Sequence, residues 1–371
     1  MLRLDELDLF VIASQASWYG PSHVKNLDAA AAGGYLLTGS VRGNGTEARI
    51  TVRLIEAGSG AQLWTAAYNQ ALGTQHRPTL QEQVARDVAV IAAPYGPIFE
   101  AELARARRSA QAPQLRDCLA TYHDYRRRIA PEVYRDAVAC FESVSARQPD
   151  VASVWAGLAM LHVDEYSAGF GRSGGQALES ARAATANALA LDRDDFFANM
   201  ALTRVQFFDG DPAFRDSIER TLELQPNSVQ ALAQGGFLLA ATGDSARGLL
   251  LVQKTRELSK APPGLYYLAY AVTYLREGRF EEALASAQQM DAHNWVVAQA
   301  IVAAAAAHSG RHDIALKAVR RLRELYPQFE ADALANFERW HFDPAFYDVL
   351  VSGLEEAGLE LREGSAHLSG G

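Results

Sequence analysis

Two periods divide the chain. Residues 48–56, ARITVRLIE, alternate apolar with polar as a half-buried strand does, whereas from about residue 115 apolar positions return every three or four residues, the spacing of amphipathic helices. The helical pattern is clearest in residues 266–290, YYLAYAVTYLREGRFEEALASAQQM. Tyr267, Tyr270 and Tyr274 fall on one helical face with Ala271 between them. Gly278 stops that helix, and Ala283 and Ala287 give the next one a small-residue face. This predicts two short antiparallel helices that approach closely.

The same order recurs. Trp155, Leu158, Ala159 and His162 repeat it, as do Leu232, Gly235, Gly236 and Leu239. From Ala159 to Thr203, Gly236, Ala271 and Ala303 the steps are 44, 33, 35 and 32 residues. The long first step contains the insert SAGFGRSGGQ at 167–176, which predicts an extended loop. Pro149, Pro226, Pro262 with Pro263, and Pro327 close the units. Six helix pairs are expected, at about 115–148, 152–191, 196–224, 229–259, 264–291 and 296–326. Asn199 and Gln299 replace the first large residue in two copies, and Phe214 and Gly248 replace the small residue of two second helices, which predicts looser packing there. Residues 328–358 read as closing helices whose Glu330, Asp332, Glu338, Glu355 and Glu356 suit a cap on the last pair, and 359–371 as a flexible tail.

Ahead of the pairs, Leu9 to Ala13, Tyr35 to Val41, Ala48 to Glu56 and the run AQLWTAAYN read as strands, the last three forming an antiparallel meander through the Gly43-Asn44-Gly45 turn. A helix over Thr79 to Ala93 carries Leu80, Val84, Val88 and Ile91 on one face. Pro94-Tyr95-Gly96-Pro97 breaks it, and a second helix runs to about Arg108. Gln111 to Gln114 is the expected boundary.

The aromatic, small-residue and proline spacing over about 115–327 resembles the tetratricopeptide repeat (TPR). The stretch YLLTGSVRGNGTEARITVRLIEAGSGAQLWTAAYNQ, within about 5–100, is similar to the TolB-like amino-terminal domain that precedes TPR arrays in bacterial regulators, including proteins named as adenylate cyclases and winged-helix transcriptional regulators. Together the resemblances imply a mainly α protein: a TPR-type α-solenoid over 115–327 behind a small α/β domain at 1–110. They also imply that this domain lacks the family's first strand and helix, and that the catalytic or DNA-binding part lies elsewhere.

A net charge of −9 disfavours a nucleic-acid partner, and the Arg-Ala-Arg-Arg run at 105–108 reads as a solvated helix end. Arg dominates the basic residues and Ala is abundant, as in proteins from GC-rich bacterial genomes. No run of eighteen apolar residues predicts a membrane span, and the acidic N-terminus does not fit a signal peptide. The chain is therefore expected in the cytoplasm, or in the periplasm if attached to an upstream membrane segment. Cys118 and Cys140 would face each other across the first helix pair. A disulfide is geometrically possible, but the plainer expectation is two small buried thiols.

Nothing in the pattern supplies chemistry. The glycines of the insert lack the Lys of a phosphate loop, and Ser309-Gly310 separates His308 from His312. No catalytic residue, metal or cofactor is expected, and the chain reads as non-enzymatic. What remains is the inner surface of the array. On the TPR template the groove is lined by His123, Arg126, Arg127, Met160, Asp164, Met200, Arg204, Phe208, Phe237, Val272, Arg276 and His308. Arg126, Arg127, Arg204, Phe208, Phe237 and Arg276 are the candidate contacts to a partner peptide or helix, with Arg126, Arg204 and Arg276 able to clamp a carboxylate or to pair with acids such as Asp164. The expected role is a protein-interaction scaffold in bacterial signalling or transcription. A small-molecule sensor for such a regulator is the alternative.

Overall fold

The computed structural model describes residues 11–13, 34–43, 47–71, 91, 96–168, 174–258, 264–290 and 292–361. The helix expected over Thr79 to Ala93 lies outside these residues except for Ile91, as do the centre of the Gly43–Gly45 turn and of the 167–176 insert. The chain divides into two compact units, Met1–Ala110 and Gln111–Gly371.

The first unit holds an antiparallel sheet in the order β1 (Val11–Ala13), β2 (Tyr35–Gly43), β3 (Glu47–Glu56), β4 (Gln62–Ala71). Val11–Ala13, from the run expected at 9–13, thus joins the meander as a fourth strand. Strand alternation sets the register: Leu37 pairs with Leu54 and Val52 with Ala66, so Val52 and Leu54 share a buried face with Tyr35, Leu37 and Tyr68 while Arg53 is exposed. Helix α1 (Pro97–Arg108) opens with Pro at its first position and ends in exposed Arg107 and Arg108, where basic side chains suit the helix dipole. The Tyr35 hydroxyl donates to Glu102 of α1 at 2.7 Å, and Arg105 pairs with the same carboxylate. Burial, then Glu102, pushes the Tyr35 phenol up.

The second unit is a solenoid of TPR-like helix pairs. They are α2 (Leu115–Arg128) with α3 (Pro131–Ser145), α4 (Ala152–Ala168) with α5 (Gly174–Leu191), α6 (Phe196–Phe208) with α7 (Phe214–Leu224), α8 (Val229–Ala241) with α9 (Ser245–Leu258), α10 (Leu268–Arg276, after a 3-10 turn at Gly264–Tyr267) with α11 (Phe280–Gln289), and α12 (Val296–His308) with α13 (His312–Leu325). Helices α14 (Phe329–Glu338) and α15 (Pro344–Glu356) follow.

Gly210, Gly243, Gly278 and Gly310 end the first helices of the last four pairs at φ of 69°, 97°, 73° and 68°, a left-handed conformation that glycine adopts without strain. Each sits seven residues after the small packing residue, Thr203, Gly236, Ala271 or Ala303. The amide after each glycine bonds back to Gln206, Leu239, Tyr274 or Ala306, and each glycine amide to Phe207, Ala240, Leu275 or Ala307, the Schellman pattern. The second pair has Tyr166 at that place and no stop. Its helices run on to 17 and 18 residues, so much of the expected insert lengthens α4 and α5.

Two expectations of looseness are corrected. Gly236 and Gly248 bring α8 and α9 into backbone contact: a Cβ on Gly248 would lie 2.5 Å from the Gly236 carbonyl oxygen. Asn199 and Gln299 occupy the repeat position of Trp155, and all three do one job. Trp155 donates to Pro149 O at 2.8 Å, Asn199 to Arg193 O at 2.9 Å and Gln299 to Ala292 O at 3.4 Å, fastening each first helix to the loop before it. Cys118 and Cys140 are joined by a disulfide with Cα atoms 5.3 Å apart, which replaces the two-thiol reading.

Candidate functional site

In each of the last five pairs two positions of the first helix, one and five residues after the small packing residue, form a stripe along the inner face of the array. In order they are Met160 and Asp164, Arg204 and Phe208, Phe237 and Ala241, Val272 and Arg276, and Ala304 and His308. The structure gathers these residues into two sets.

The first set is ionic. Asp164 is 1% exposed and takes Arg204 Nη2 at 2.5 Å and Arg126 Nη1 at 2.8 Å, both on Oδ1. Its Oδ2 and Arg204 Nη1 make no hydrogen bond. Arg127 and Arg128 reach the buried Asp124 at 3.0 and 3.1 Å. Tyr134 donates to Glu165 at 2.9 Å beneath this layer. Burial first, then the Asp164 charge, raises the Tyr125 phenol well above its ordinary value. Burial, then Arg126, pushes His123 down to about 4, so its imidazole is neutral at pH 7.

The second set surrounds residues of the same chain. Between α14 and α15 the backbone runs along the C-terminal ends of the inner helices. Trp340 packs edge-on to Phe208 at 5.0 Å, Phe237 at 5.9 Å and Phe207 at 6.4 Å, and lies 6.0 Å from Trp295. The helix-stop motif explains the polar contacts. A Schellman turn occupies the third- and second-last carbonyls of a helix and leaves the last one free. In α6 and α8 those last residues are Phe208 and Ala241. His341 Nε2 meets Phe208 O at 3.2 Å, and the Asp343 amide donates to Ala241 O at 2.7 Å.

The stop glycines also make room for the segment. A Cβ on Gly210 would lie 3.2 Å from the His341 ring, and one on Gly243 would lie 2.8 Å from Asp343 Oδ2. Asp343 then caps α15, accepting from the Ala345 and Phe346 amides at 3.1 and 3.3 Å ahead of Pro344 at the first helical position. Phe346, Leu350 and Leu354, spaced by four, form the buried face of α15. Each such side chain is worth about 1.5–3 kcal/mol of burial. Gly353 lets α15 sit against α12, since a Cβ there would come within 2.7 Å of Ala304 Cβ. His308 closes the far end through Glu356 at 2.8 Å and Val349 O at 3.0 Å.

Of the six candidate partner contacts, therefore, Arg126 and Arg204 hold Asp164, Arg127 holds Asp124, Phe208 and Phe237 hold Trp340, and Arg276 Nη1 donates to Gly243 O at 2.8 Å. The inner rows are legible from the repeat spacing. Trp340, His341, Asp343 and Gly353 are additional residues of the site, and the signal for them was the apolar stripe of Phe346, Leu350 and Leu354, too apolar for a helix whose outer face meets water. The array also curls: the Asn294 amide before α12 reaches the Arg128 carbonyl at the end of α2, 3.4 Å away, so the sixth pair touches the first.

No family model matches the chain, and no curated protein matches it. Solved structures do align with it, among them the following. The crystal structure of the APC/C hetero-tetramer Cut9-Hcn1 aligns at 12% identity and a TM-score of 0.45, over 76% of this chain and 60% of that one. A tetratricopeptide repeat protein from Parabacteroides merdae aligns at 14% and 0.36, over 66% and 98%. Yeast Tom70 aligns at 12% and 0.37, over 77% and 64%. The chain thus spans 60% of the length of the first. At these scores the likenesses carry no argument, and the fold stands on its helix pairs and their stop motifs.

Proposed function

We propose that this chain is a non-enzymatic protein-interaction scaffold whose inner surface binds a helical segment of a partner. One observation carries the reading: that surface already holds a segment of chain and the helix α15 behind it, with Trp340 on aromatic seats, the His341 ring on the Phe208 carbonyl and the Asp343 amide on the Ala241 carbonyl. Apolar contacts supply affinity and the carbonyl row supplies register. The resemblance of the first unit to the TolB-like domain of bacterial regulators supports a place in signalling or transcriptional control. The Cys118–Cys140 bond favours an oxidising compartment such as the periplasm over the cytoplasm. Among the described residues no helix is long and apolar enough to cross a membrane.

The test is capture from an extract of the source organism, with cross-links mapped by mass spectrometry. A partner cross-linked to α6, α8, α10 or α12, and lost from a Phe208→Ala, Phe237→Ala variant of unchanged helicity, supports the scaffold reading. A partner cross-linked only to second helices such as α9 and α13 overturns the inner-surface assignment. Capture of no protein turns the reading toward the small-molecule sensor.

A further inference from the structure

The region after the last pair is tied to the array in two different ways. Helix α14 is fixed to α13: Arg323 pairs with Glu330 at 2.9 Å and the Tyr326 hydroxyl donates to Asp332 at 2.5 Å. Residues 339–356 instead lie along the inner helices, seated on Phe208, Phe237, Ala241, Ala304 and His308. Each seat is generic in chemistry. Two are the aromatic faces of Phe208 and Phe237, two are the helix-end carbonyls of Phe208 and Ala241, one is the Ala304 surface that admits a glycine, and one is the His308 ring, which takes a carboxylate. Any segment with the right order of groups meets them equally well.

We propose that residues 339–356 are a resident occupant of the groove, and that the partner is a protein segment of the same chemistry that takes their place. This rests on the scaffold reading above. The order of groups defines the partner class: an aromatic residue where Trp340 stands, one residue, a second aromatic, then Asp-Pro capping a helix that carries an apolar stripe at every fourth position and a glycine ten residues after the Asp, as Gly353 follows Asp343. Because the occupant is covalently tethered, it competes at an effective concentration of about millimolar, and it lowers the partner's apparent affinity by the fraction of time the groove stands open. Weak or mismatched segments are thereby kept out.

The test uses the full chain and a fluorescein-labelled synthetic peptide covering residues 338–359, followed by anisotropy. Gly353→Leu drives a side chain into Ala304 and His308 and biases the resident segment outward. Glu356→Lys removes the surface-exposed partner of His308 and opens the groove more gently. The peptide is expected to bind the Gly353→Leu chain at least tenfold more tightly than the wild type, and the Glu356→Lys chain two- to threefold more tightly. A peptide with both Trp340→Ala and Asp343→Ala is expected to bind none of them.

If Gly353→Leu loses its helical circular dichroism, the Glu356→Lys comparison decides alone. Folded variants that take up no peptide overturn the proposal and make residues 339–356 a fixed part of the fold, leaving the scaffold reading to its own capture experiment. A dimer of the Gly353→Leu chain seen by light scattering, without peptide uptake, overturns the partner assignment in favour of exchange between copies.

Discussion

Removal of Asp164 is the sharpest perturbation of the ionic half of the groove. Its side chain is 2% exposed, and it faces Arg204, whose side chain is 9% exposed, and Arg126, at 29%. In Asp164→Ala the two guanidinium groups keep their positions on α2 and α6 but lose their common counter-ion, and Arg204 cannot turn to water without moving its helix. Breaking one side of a buried pair costs about 3–5 kcal/mol, because the remaining charge stays desolvated. Arg126 retains solvent access and contributes less. We therefore expect Asp164→Ala to lose about 3–5 kcal/mol, and Asp164→Asn, which keeps one acceptor, about 1.5–3 kcal/mol. Replacing both buried partners, Asp164→Leu with Arg204→Met, is expected to recover most of the loss. The assay is urea unfolding by circular dichroism with hydrogen exchange read on α2, α4 and α6, because a solenoid need not unfold in one step. A loss below about 1 kcal/mol for Asp164→Ala would mean that these arginines are hydrated, and the structural role given to them would fall.

Three further outcomes are expected. Reducing Cys118–Cys140, which closes a sequence separation of 22 residues, should lower stability by about 3 kcal/mol in the chain-entropy model, seen as a lower urea midpoint in dithiothreitol; an unchanged midpoint would contradict it. Gly248→Ala should destabilise by about 1–3 kcal/mol despite the gain of about 1 kcal/mol in helix propensity, since its Cβ meets the Gly236 backbone, whereas Gly175→Ala, with open space around it, should stabilise by about 0.5–1 kcal/mol; equal effects at the two sites would refute the close approach. His123 titrates near 4 when folded and near 6.5 when unfolded, so the unfolded chain takes up the proton first and stability falls as pH drops from about 6.5 to 4, by no more than about 3 kcal/mol; that part of the pH slope should vanish in His123→Gln.

The repeat was readable because its signal is physical and local: a small residue where two helices touch and a proline where a unit closes, while the glycine stop seven residues after the small residue was read only at Gly278 and, as a break, at Gly310. The inner stripe followed from the same spacing. The looseness expected at Gly248 failed because absence of a side chain was read as absence of packing, whereas two glycines at one height let backbones meet. Asn199 and Gln299 read as defects of an aromatic position because the position was judged by bulk; its shared property is a donor that reaches the preceding loop. The long-range facts were the hidden ones. Pairing with Asp164 was one of two readings open for Arg126 and Arg204, and since it joins three helices only the curl of the array decides between it and a free clamp. The acidic residues of α15 were legible as the outer face of a cap, whereas the seat that its stripe at 346, 350 and 354 finds on the inner helices was not.

The central claim is that residues 339–356 fill the inner surface, and hydrogen exchange of the intact chain, resolved to the peptides spanning 339–356 and 296–308, tests it most directly. The account predicts slow exchange in both peptides, since the Asp343 amide is bonded to Ala241 and α12 lies beneath α15, and a joint loss of protection in Trp340→Ala. Rapid exchange across 339–356 in the unmodified chain, with α12 still protected, would show the groove standing open and contradict it.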